Sequence, residues 1–125
     1  CNAATLAAQR AEESDLHFLA KSIEKMTADV QSGRLGNEAD VSFHMAIAYA
    51  TKNPLHVFAI KNFHDYLFSG VKANLAHFYG DPQNMQITIE HHTEIYRSIK
   101  KRDLALSFTS MKRHIEFVLS FVKQR

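Results

Sequence analysis

The sequence predicts an all-α fold, a single antiparallel bundle of about six helices. Apolar residues recur at helical spacing along nearly the whole chain, and no stretch alternates with period two for long enough to form a strand. With 125 residues, 46% of them hydrophobic and 22% charged, the chain has the size and composition of one soluble domain with a substantial core. Residues 1–125 are therefore taken as one domain.

Glycines separate the first helices from the rest. The opening segment has the pattern of a helix interior, which suggests that the chain is a fragment of a longer protein. Ser14 is a candidate cap for the next helix, and Gly33 and Gly36 mark its end. The apolar stripe of that helix consists of Leu16, Leu19, Ile23, Met26 and Val30.

Prolines set the next boundaries. Asn37 is a candidate cap for a helix that ends at Asn53-Pro54, because Pro suits the first turn of a new helix and disfavours continuation of the old one. A long helix is predicted from Pro54 to about Phe78, with Gly70 as a point of close packing or bending. Gly80-Asp81-Pro82 ends it.

The last two helices each carry a histidine on the apolar face. In the first of them, His92 lies at helical spacing from Met85, Ile89, Ile95 and Ile99. After Arg102-Asp103, the final helix has the stripe Phe108, Met111, His114, Ile115, Val118, Phe121 and Val122. Both histidines are therefore predicted to be buried.

One Asp and three His are thus predicted to face a common core. Asp40 and His44 are four residues apart, so they lie one above the other on a helix as a chelating pair. Taken alone, Asp40 is better explained as a first-turn acid, and each His as a core residue bonded to a carbonyl. Burying these groups unpaired would cost about 1 to 3 kcal/mol each, whereas one ion satisfies all of them. The predicted metal ligands are Asp40, His44, His92 and His114.

His91 is an alternative ligand because it stands beside His92. The isoleucine stripe favours His92 as the buried member of the pair. The other histidines have no acidic partner at metal-ligand spacing and are left out of the site; they are His17, His56, His64 and His77.

One carboxylate and three imidazoles suit zinc or nickel, with manganese, iron and cobalt as alternatives. Four protein ligands around a six-coordinate ion leave two positions for water or a bidentate carboxylate, which suits binding of a small organic acid. No acid/base pair accompanies the site, and no zinc-hydrolase, di-iron, phosphate-loop or nucleophile-elbow motif is present. Nothing in the pattern argues for turnover.

Charge and cysteine content exclude several other classes. The net charge is +2, and the basic residues are dispersed apart from Lys100-Lys101-Arg102 and the end of the chain, so nucleic-acid binding by this segment alone has no support. Cys1 is the only cysteine, which excludes an internal disulfide. There is neither a long apolar run nor a signal-peptide pattern, and we expect a cytoplasmic protein without membrane contact.

Several segments resemble a known family. Asp40-Val41-Ser42-Phe43-His44, followed by Asn53-Pro54-Leu55, resembles its "D-x-x-F-H … N-P-L" signature. The stretch from His92 to Asp103 resembles "H-x-x-I-x-x-x-I-x-x-x-D", Met111 and His114 resemble the closing "M-x-x-H", and Leu6 to Arg10 is similar to the opening helix. The family is the effector-binding C-terminal (FCD) domain of GntR-type transcriptional regulators, FadR-like subgroup.

This resemblance implies a ligand-sensing domain and not an enzyme. In the family, an N-terminal winged helix-turn-helix binds operator DNA, and the all-helical C-terminal domain dimerises and carries a metal that helps to hold a small carboxylate effector. It implies the same four metal ligands, a homodimer, and DNA contact only through a domain outside this chain. The family usually has an acidic or polar residue where His91 stands.

The effector itself is predicted only as a small carboxylate metabolite. Candidate contacts on the helix after Pro54 are Asn62, Tyr66, Ser69 and Lys72. Lys72 is the natural partner of a second carboxylate, although a solvated surface lysine is the simpler interpretation. A metal-dependent helical-bundle enzyme and a purely structural dimerisation module are the alternatives. A winged-helix pattern of about 60 to 80 residues upstream would favour the regulator.

Overall fold

The computed structural model describes the backbone of residues 2–70 and 72–123 and, within these, the side chains of residues 2–65 and 76–121. The described chain consists of seven helices without a strand, which confirms the all-α prediction. The helices are α1 (Asn2–Arg10), α2 (Glu13–Gln31), α3 (Asn37–Ala50), α4 (Pro54–Gly70), α5 (Lys72–Gly80), α6 (Pro82–Lys100) and α7 (Leu104–Lys123).

The segment predicted as one helix from Pro54 to about Phe78 corresponds to α4, which is described up to Gly70, and α5, which is described from Lys72 to Gly80. Residue 71 lies outside the described residues.

The two predicted proline boundaries are confirmed. α4 begins at Pro54, where the Leu55 N–H donates to Oδ1 of Asn53. α6 begins at Pro82, where the Gln83 N–H donates to Oδ1 of Asp81. In both places, a side-chain acceptor satisfies a backbone donor that the first helical turn leaves without a partner.

Two predicted caps are wrong. The N-cap of α2 is Glu12 and not Ser14, which lies inside the helix. The backbone N–H of Glu12 donates to Oδ2 of Asp15 at 2.8 Å, so an acid one turn further on ties down the start of the helix. α3 begins at Asn37 itself, with Gly36 at the N-cap.

The first helix packs by means of small residues and is tied to the loop before α7. Ala4, Ala7 and Ala8 are fully buried, and α1 contacts α3, α6 and α7. Arg102, whose backbone is left-handed with φ of 60°, donates to the carbonyls of Ala8 at 3.1 Å and Ala11 at 2.5 Å. A cation thus satisfies carbonyls at the C-terminal end of α1.

Two clusters of buried apolar residues form the core. The larger contains Phe43 and Ile47 of α3 and Ile95 and Ile99 of α6. The smaller contains Phe78, Tyr79 and Met85, with partly buried residues of α7 packed against it. Between α3, α6 and α7, these clusters enclose polar side chains that are described below. None of the helices in the described part of the chain has the length and apolar character needed to cross a bilayer.

Candidate metal centre

The four residues predicted as metal ligands come together between three helices. Asp40 and His44 belong to α3, His92 to α6 and His114 to α7. One donor atom from each side chain can be chosen so that all four lie within 4.8 Å of one another. His92 and His114 are buried, with 0% and 1% of their surface exposed, and Asp40 has 6% exposed. Only His44 is partly open to solvent.

Several polar atoms of this group are buried without a hydrogen-bond partner among the described residues. They are Oδ1 of Asp40, Nε2 of His114 and both ring nitrogens of His92. Each buried and unpaired polar group costs about 1 to 3 kcal/mol, so a cluster of them is unusual in a core. A cation among these atoms would satisfy one lone pair on each side chain. The residues therefore fit a metal ion.

Asp40 is the centre of the group. Its Oδ1 lies 3.3 Å from Nε2 of His44 and 3.2 Å from Nε2 of His92, although neither approach has the direction of a hydrogen bond. Burial alone would raise the pKa of Asp40, but the two imidazoles beside it hold that pKa well below its usual range. The carboxylate is therefore ionised, as a metal ligand must be.

Burial disfavours the charged form of the two buried imidazoles. Burial lowers the pKa of His114 well below its usual range, and His92 and His44 lower it further. Burial also lowers the pKa of His92, although Asp40 opposes this effect. Only a neutral imidazole offers a lone pair to a metal, so the direction of both pKa shifts is compatible with a metal site.

Ring packing fixes the orientation of His92. Its imidazole stacks on the ring of Phe43, with centroids 3.9 Å apart and planes inclined by 7°. Phe43 is itself fully buried in the larger core cluster. Phe43 precedes His44 in the motif, so α3 supplies two candidate ligands, Asp40 and His44, and also the ring on which a third candidate ligand, His92, stacks.

His91 and His92 have different surroundings, in agreement with the register predicted from the isoleucine stripe. His92 belongs to the four-residue group, whereas His91 is only half-buried. Nδ1 of His91 lies 3.1 Å from Nδ1 of His114, on the side of that ring opposite to the buried Nε2. His91 thus contacts a candidate ligand without joining the group.

Tyr79 completes the surroundings of Asp40, a contact that no sequence pattern predicted. Its hydroxyl donates to Oδ2 of Asp40 at 2.5 Å. Burial and the charge of Asp40 raise the pKa of Tyr79, so the hydroxyl keeps its proton. The two residues are 39 positions apart and share no helix, so no local spacing could have identified the pair.

His64 of α4 also lies beside the group, although the sequence analysis left it out. Its ring centroid is 5.7 Å from that of His44, and its Nδ1 lies 3.0 Å from the carbonyl oxygen of Ile60. Because a carbonyl only accepts, Nδ1 of His64 carries a proton in this arrangement. Burial lowers the pKa of His64, and His44 adds to the effect.

A small cavity of about 60 Å³ opens between α4 and the candidate ligands. Asp40, His44 and His114 form one wall, with His64 and Tyr79 nearby. The remaining described lining is apolar and consists of Ile60, Phe63, Ile115, Val118 and Leu119. The lining therefore combines polar groups with hydrocarbon, a combination typical of sites for small organic ligands.

Of the four candidate effector contacts, only Asn62 has a described side chain. It is exposed, and its amide donates to the carbonyl of Phe58 on the same helix at 2.7 Å. The side chains of Tyr66, Ser69 and Lys72 lie outside the described residues.

A family model for the FCD domain matches residues 1–117. This chain belongs to the FCD domain family. The match confirms the resemblance to the effector-binding domain of GntR-type transcriptional regulators that the motifs predicted.

Curated relatives of this FCD domain are bacterial transcriptional regulators. The Glc operon transcriptional activator of Escherichia coli (strain K12) is 26% identical over 120 residues, which cover 92% of this chain and 47% of that protein. The HTH-type transcriptional regulator LutR of Bacillus subtilis (strain 168) is 27% identical over 121 residues, or 94% of this chain and 55% of LutR. The galactonate operon transcriptional repressor of Escherichia coli (strain K12) is 29% identical over 100 residues, or 78% and 41%.

The FCD domain spans about half the length of the curated relatives that it matches. The family and these relatives are transcriptional regulators and not enzymes, which confirms that the chain is a regulatory domain.

Proposed function

We propose that this FCD domain, residues 1–125, is the ligand-sensing and dimerising part of a bacterial GntR-type regulator that holds one divalent metal ion and a small carboxylate effector. The observation that carries the proposal is the group of Asp40, His44, His92 and His114, whose donor atoms lie within 4.8 Å of one another. An ionised carboxylate and neutral imidazoles are the protonation states that a metal site requires.

The donor set favours zinc or nickel. Imidazole suits both ions, and the single carboxylate balances part of the charge. Zinc–nitrogen bonds of about 2 Å place two donor atoms at most about 4 Å apart, so donor atoms separated by up to 4.8 Å would have to move closer together when an ion binds. The ion would supply positive charge and open coordination positions for ligand oxygens.

The effector would bind in the cavity beside the ion. A carboxylate suits the metal end of the cavity, and a short carbon chain suits the apolar wall of Ile60, Phe63 and Val118. His64 and Tyr79 are further polar groups within reach of that space. Asn62, Tyr66, Ser69 and Lys72 are retained as candidate contacts. One relative is named for the operon of galactonate, itself a carboxylate.

Effector binding would regulate by a population shift. A ligand that bridges α3, α6, α7 and α4 favours the packing of the bundle in which these helices are correctly spaced. In a homodimer, that preference alters the spacing of two winged-helix domains of the full-length protein, through which operator DNA is bound in the cytoplasm. The effector acts only if its affinity differs between the two dimer geometries.

The metal site is tested by the metal content of the purified domain. Native mass spectrometry and elemental analysis should find close to one divalent ion per chain. His92→Ala and His114→Ala should each lose the ion, whereas His17→Ala, at an exposed position on α2, should keep it. Full metal occupancy in both core variants would contradict the assignment.

The effector is tested by calorimetric titration with a set of short carboxylic and hydroxy acids. Binding should require the metal-loaded domain and disappear after treatment with EDTA. A metal-loaded domain that dimerises but binds none of these acids would favour the purely structural dimerisation module.

A further inference from the structure

The half-buried His91 contacts His114, one of the four candidate metal ligands. Its Nδ1 lies 3.1 Å from Nδ1 of His114, and the two rings are nearly perpendicular, at 84°. His91 also packs edge-on against Phe117 of α7, with ring centroids 5.3 Å apart, and Phe117 in turn packs against the smaller core cluster. The ring is therefore held from two sides.

The proton in this hydrogen bond can be assigned from the geometry. Only one of two facing ring nitrogens carries the proton that they share. His114 belongs to the candidate ligand group, and its Nε2 is buried without a hydrogen-bond partner among the described residues. A metal needs the lone pair of that atom, so a neutral His114 carries its proton on Nδ1. Nδ1 of His91 is then the acceptor.

We propose that His91 is a positioning residue of the metal site, which accepts the proton of His114 Nδ1–H and so directs Nε2 of His114 towards the ion. This inference rests on the proposed metal site. Metal-binding histidines usually donate their second ring N–H to a carboxylate, carbonyl or water, which fixes both the tautomer and the orientation of the ring. In this chain, a second imidazole takes that part.

The charged neighbours of His91 are Arg113 of α7 and Glu90 and Glu94 of α6. Arg113 is itself paired with Glu94, which also accepts from Ser110 at 3.0 Å. With its own proton on Nε2, the His91 ring presents the lone pair of Nδ1 to His114.

Two substitutions distinguish the effect of the hydrogen-bond acceptor of His91 from the effect of its packing against Phe117. His91→Leu keeps an apolar side chain against Phe117 but removes the acceptor, whereas His91→Asn places Oδ1 where Nδ1 stood. Zinc affinity should be measured by competition with a chromophoric chelator, with His17→Leu as an exposed control on α2. We expect His91→Leu to weaken zinc binding about 10- to 100-fold, while still filling the site at saturating metal. His91→Asn should recover most of that loss.

Two spectroscopic measurements report the positioning directly. The d–d absorption of the cobalt(II)-loaded domain should change in His91→Leu and return towards that of the unsubstituted domain in His91→Asn. In the zinc-loaded domain, long-range ¹H–¹⁵N spectra should show the Nε2–H tautomer for His91 and the Nδ1–H tautomer for His114. The tautomer measurement needs no substitution, so it decides the question even if a variant does not fold.

Each contrary result has a separate meaning. If the domain without substitutions binds no zinc, both this inference and the proposed function fail. If it binds zinc and His91→Leu has unchanged affinity and an unchanged cobalt spectrum, only the role of His91 fails. Equal weakening of zinc binding in His91→Leu and His91→Asn would also overturn the acceptor role, as would an Nδ1–H tautomer for His91.

Discussion

Tyr79 donates a hydrogen bond of 2.5 Å to Oδ2 of Asp40, while Oδ1 of the same carboxylate lies within 3.3 Å of two imidazole nitrogens. The two oxygens of Asp40 therefore have different partners. One is held by α5, and the other faces the candidate metal site. This arrangement favours coordination of a metal through Oδ1 alone.

Removal of the Tyr79 hydroxyl should weaken metal binding. Tyr79→Phe keeps the buried ring and leaves Oδ2 of Asp40 without that donor, so we expect metal affinity to fall by about 10- to 100-fold. The change is measured by chelator competition. Tyr49→Phe is the matched control, because Tyr49 is 58% exposed and lies on α3 with Asp40 and His44. Equal affinities in the two variants would show that Tyr79 does not support the site.

Metal should stabilise the fold. Ligand that binds only the native state adds about 2.7 kcal/mol at a free concentration 100 times the Kd. For a domain of this size, we expect the melting temperature to rise by roughly 10 °C, and EDTA should reverse the rise. His114→Ala lacks a ligand, so its melting temperature should not respond to metal. A similar rise in that variant would place the stabilising ion elsewhere.

His64 should affect the effector more than the metal. It lines the cavity from α4, whereas the four candidate ligands come from α3, α6 and α7. His64→Leu should therefore keep one ion per chain and lose at least about tenfold in affinity for a carboxylate ligand, a change of about 1.4 kcal/mol. His56→Leu is the control on the same helix. Loss of the ion from His64→Leu would make His64 a fifth ligand.

Arg102 should be the most sensitive residue in the α6–α7 loop. Arg102→Ala removes both hydrogen bonds to α1 and keeps a side chain in the left-handed region, so we expect a loss of about 2 to 3 kcal/mol in the free energy of unfolding. Arg102→Gly should lose less, because glycine adopts positive φ without strain. Urea unfolding measures both, with Lys101→Ala as the exposed neighbouring control. A larger loss in Arg102→Gly than in Arg102→Ala would contradict this account.

Asp15 should contribute a pH-dependent part of the stability. Burial would raise its pKa, but the hydrogen bond from Glu12 N–H and the contact with Lys52 lower it overall. A depressed pKa means that the fold favours the ionised form, so this stabilisation is present above the unfolded pKa of about 4 and is lost as pH falls below it. Asp15→Ala should cost about 1 kcal/mol at pH 6 and less at pH 3.

The control for this experiment is Glu13→Ala, an exposed acid in the same first turn of α2. It shares the position near the helix N-terminus but has a side chain exposed to solvent. Urea unfolding of both variants at the two pH values separates the Asp15 contacts from the helix dipole. A pH-independent loss in Asp15→Ala would mean that its charge is not involved.

The sequence alone determined most helices, their boundaries at Pro54 and Pro82, and the four candidate ligands. These features depend on spacing within a helix or on the chemistry of one turn, which a short segment carries by itself. Local periodicity also predicted that His92, and not His91, lies on the buried face of its helix. Periodicity was less successful at Phe108, which was assigned to the apolar stripe of α7 but is 38% exposed.

Tertiary structure decided which face of α7 is buried and which residues surround the candidate metal site. Ser107 and Ser110 turn inwards because Ser98 and Glu94 of α6 offer them hydrogen-bond partners, and Phe108 is displaced outwards. Tyr79 contacts Asp40, which is 39 positions away in the sequence, and His91 contacts the ring of His114, which is 23 positions away. Such contacts depend on how the helices pack, and no local pattern records them. The sequence therefore identified the candidate metal ligands, whereas the residues that contact those side chains and orient them could be identified only from the tertiary structure.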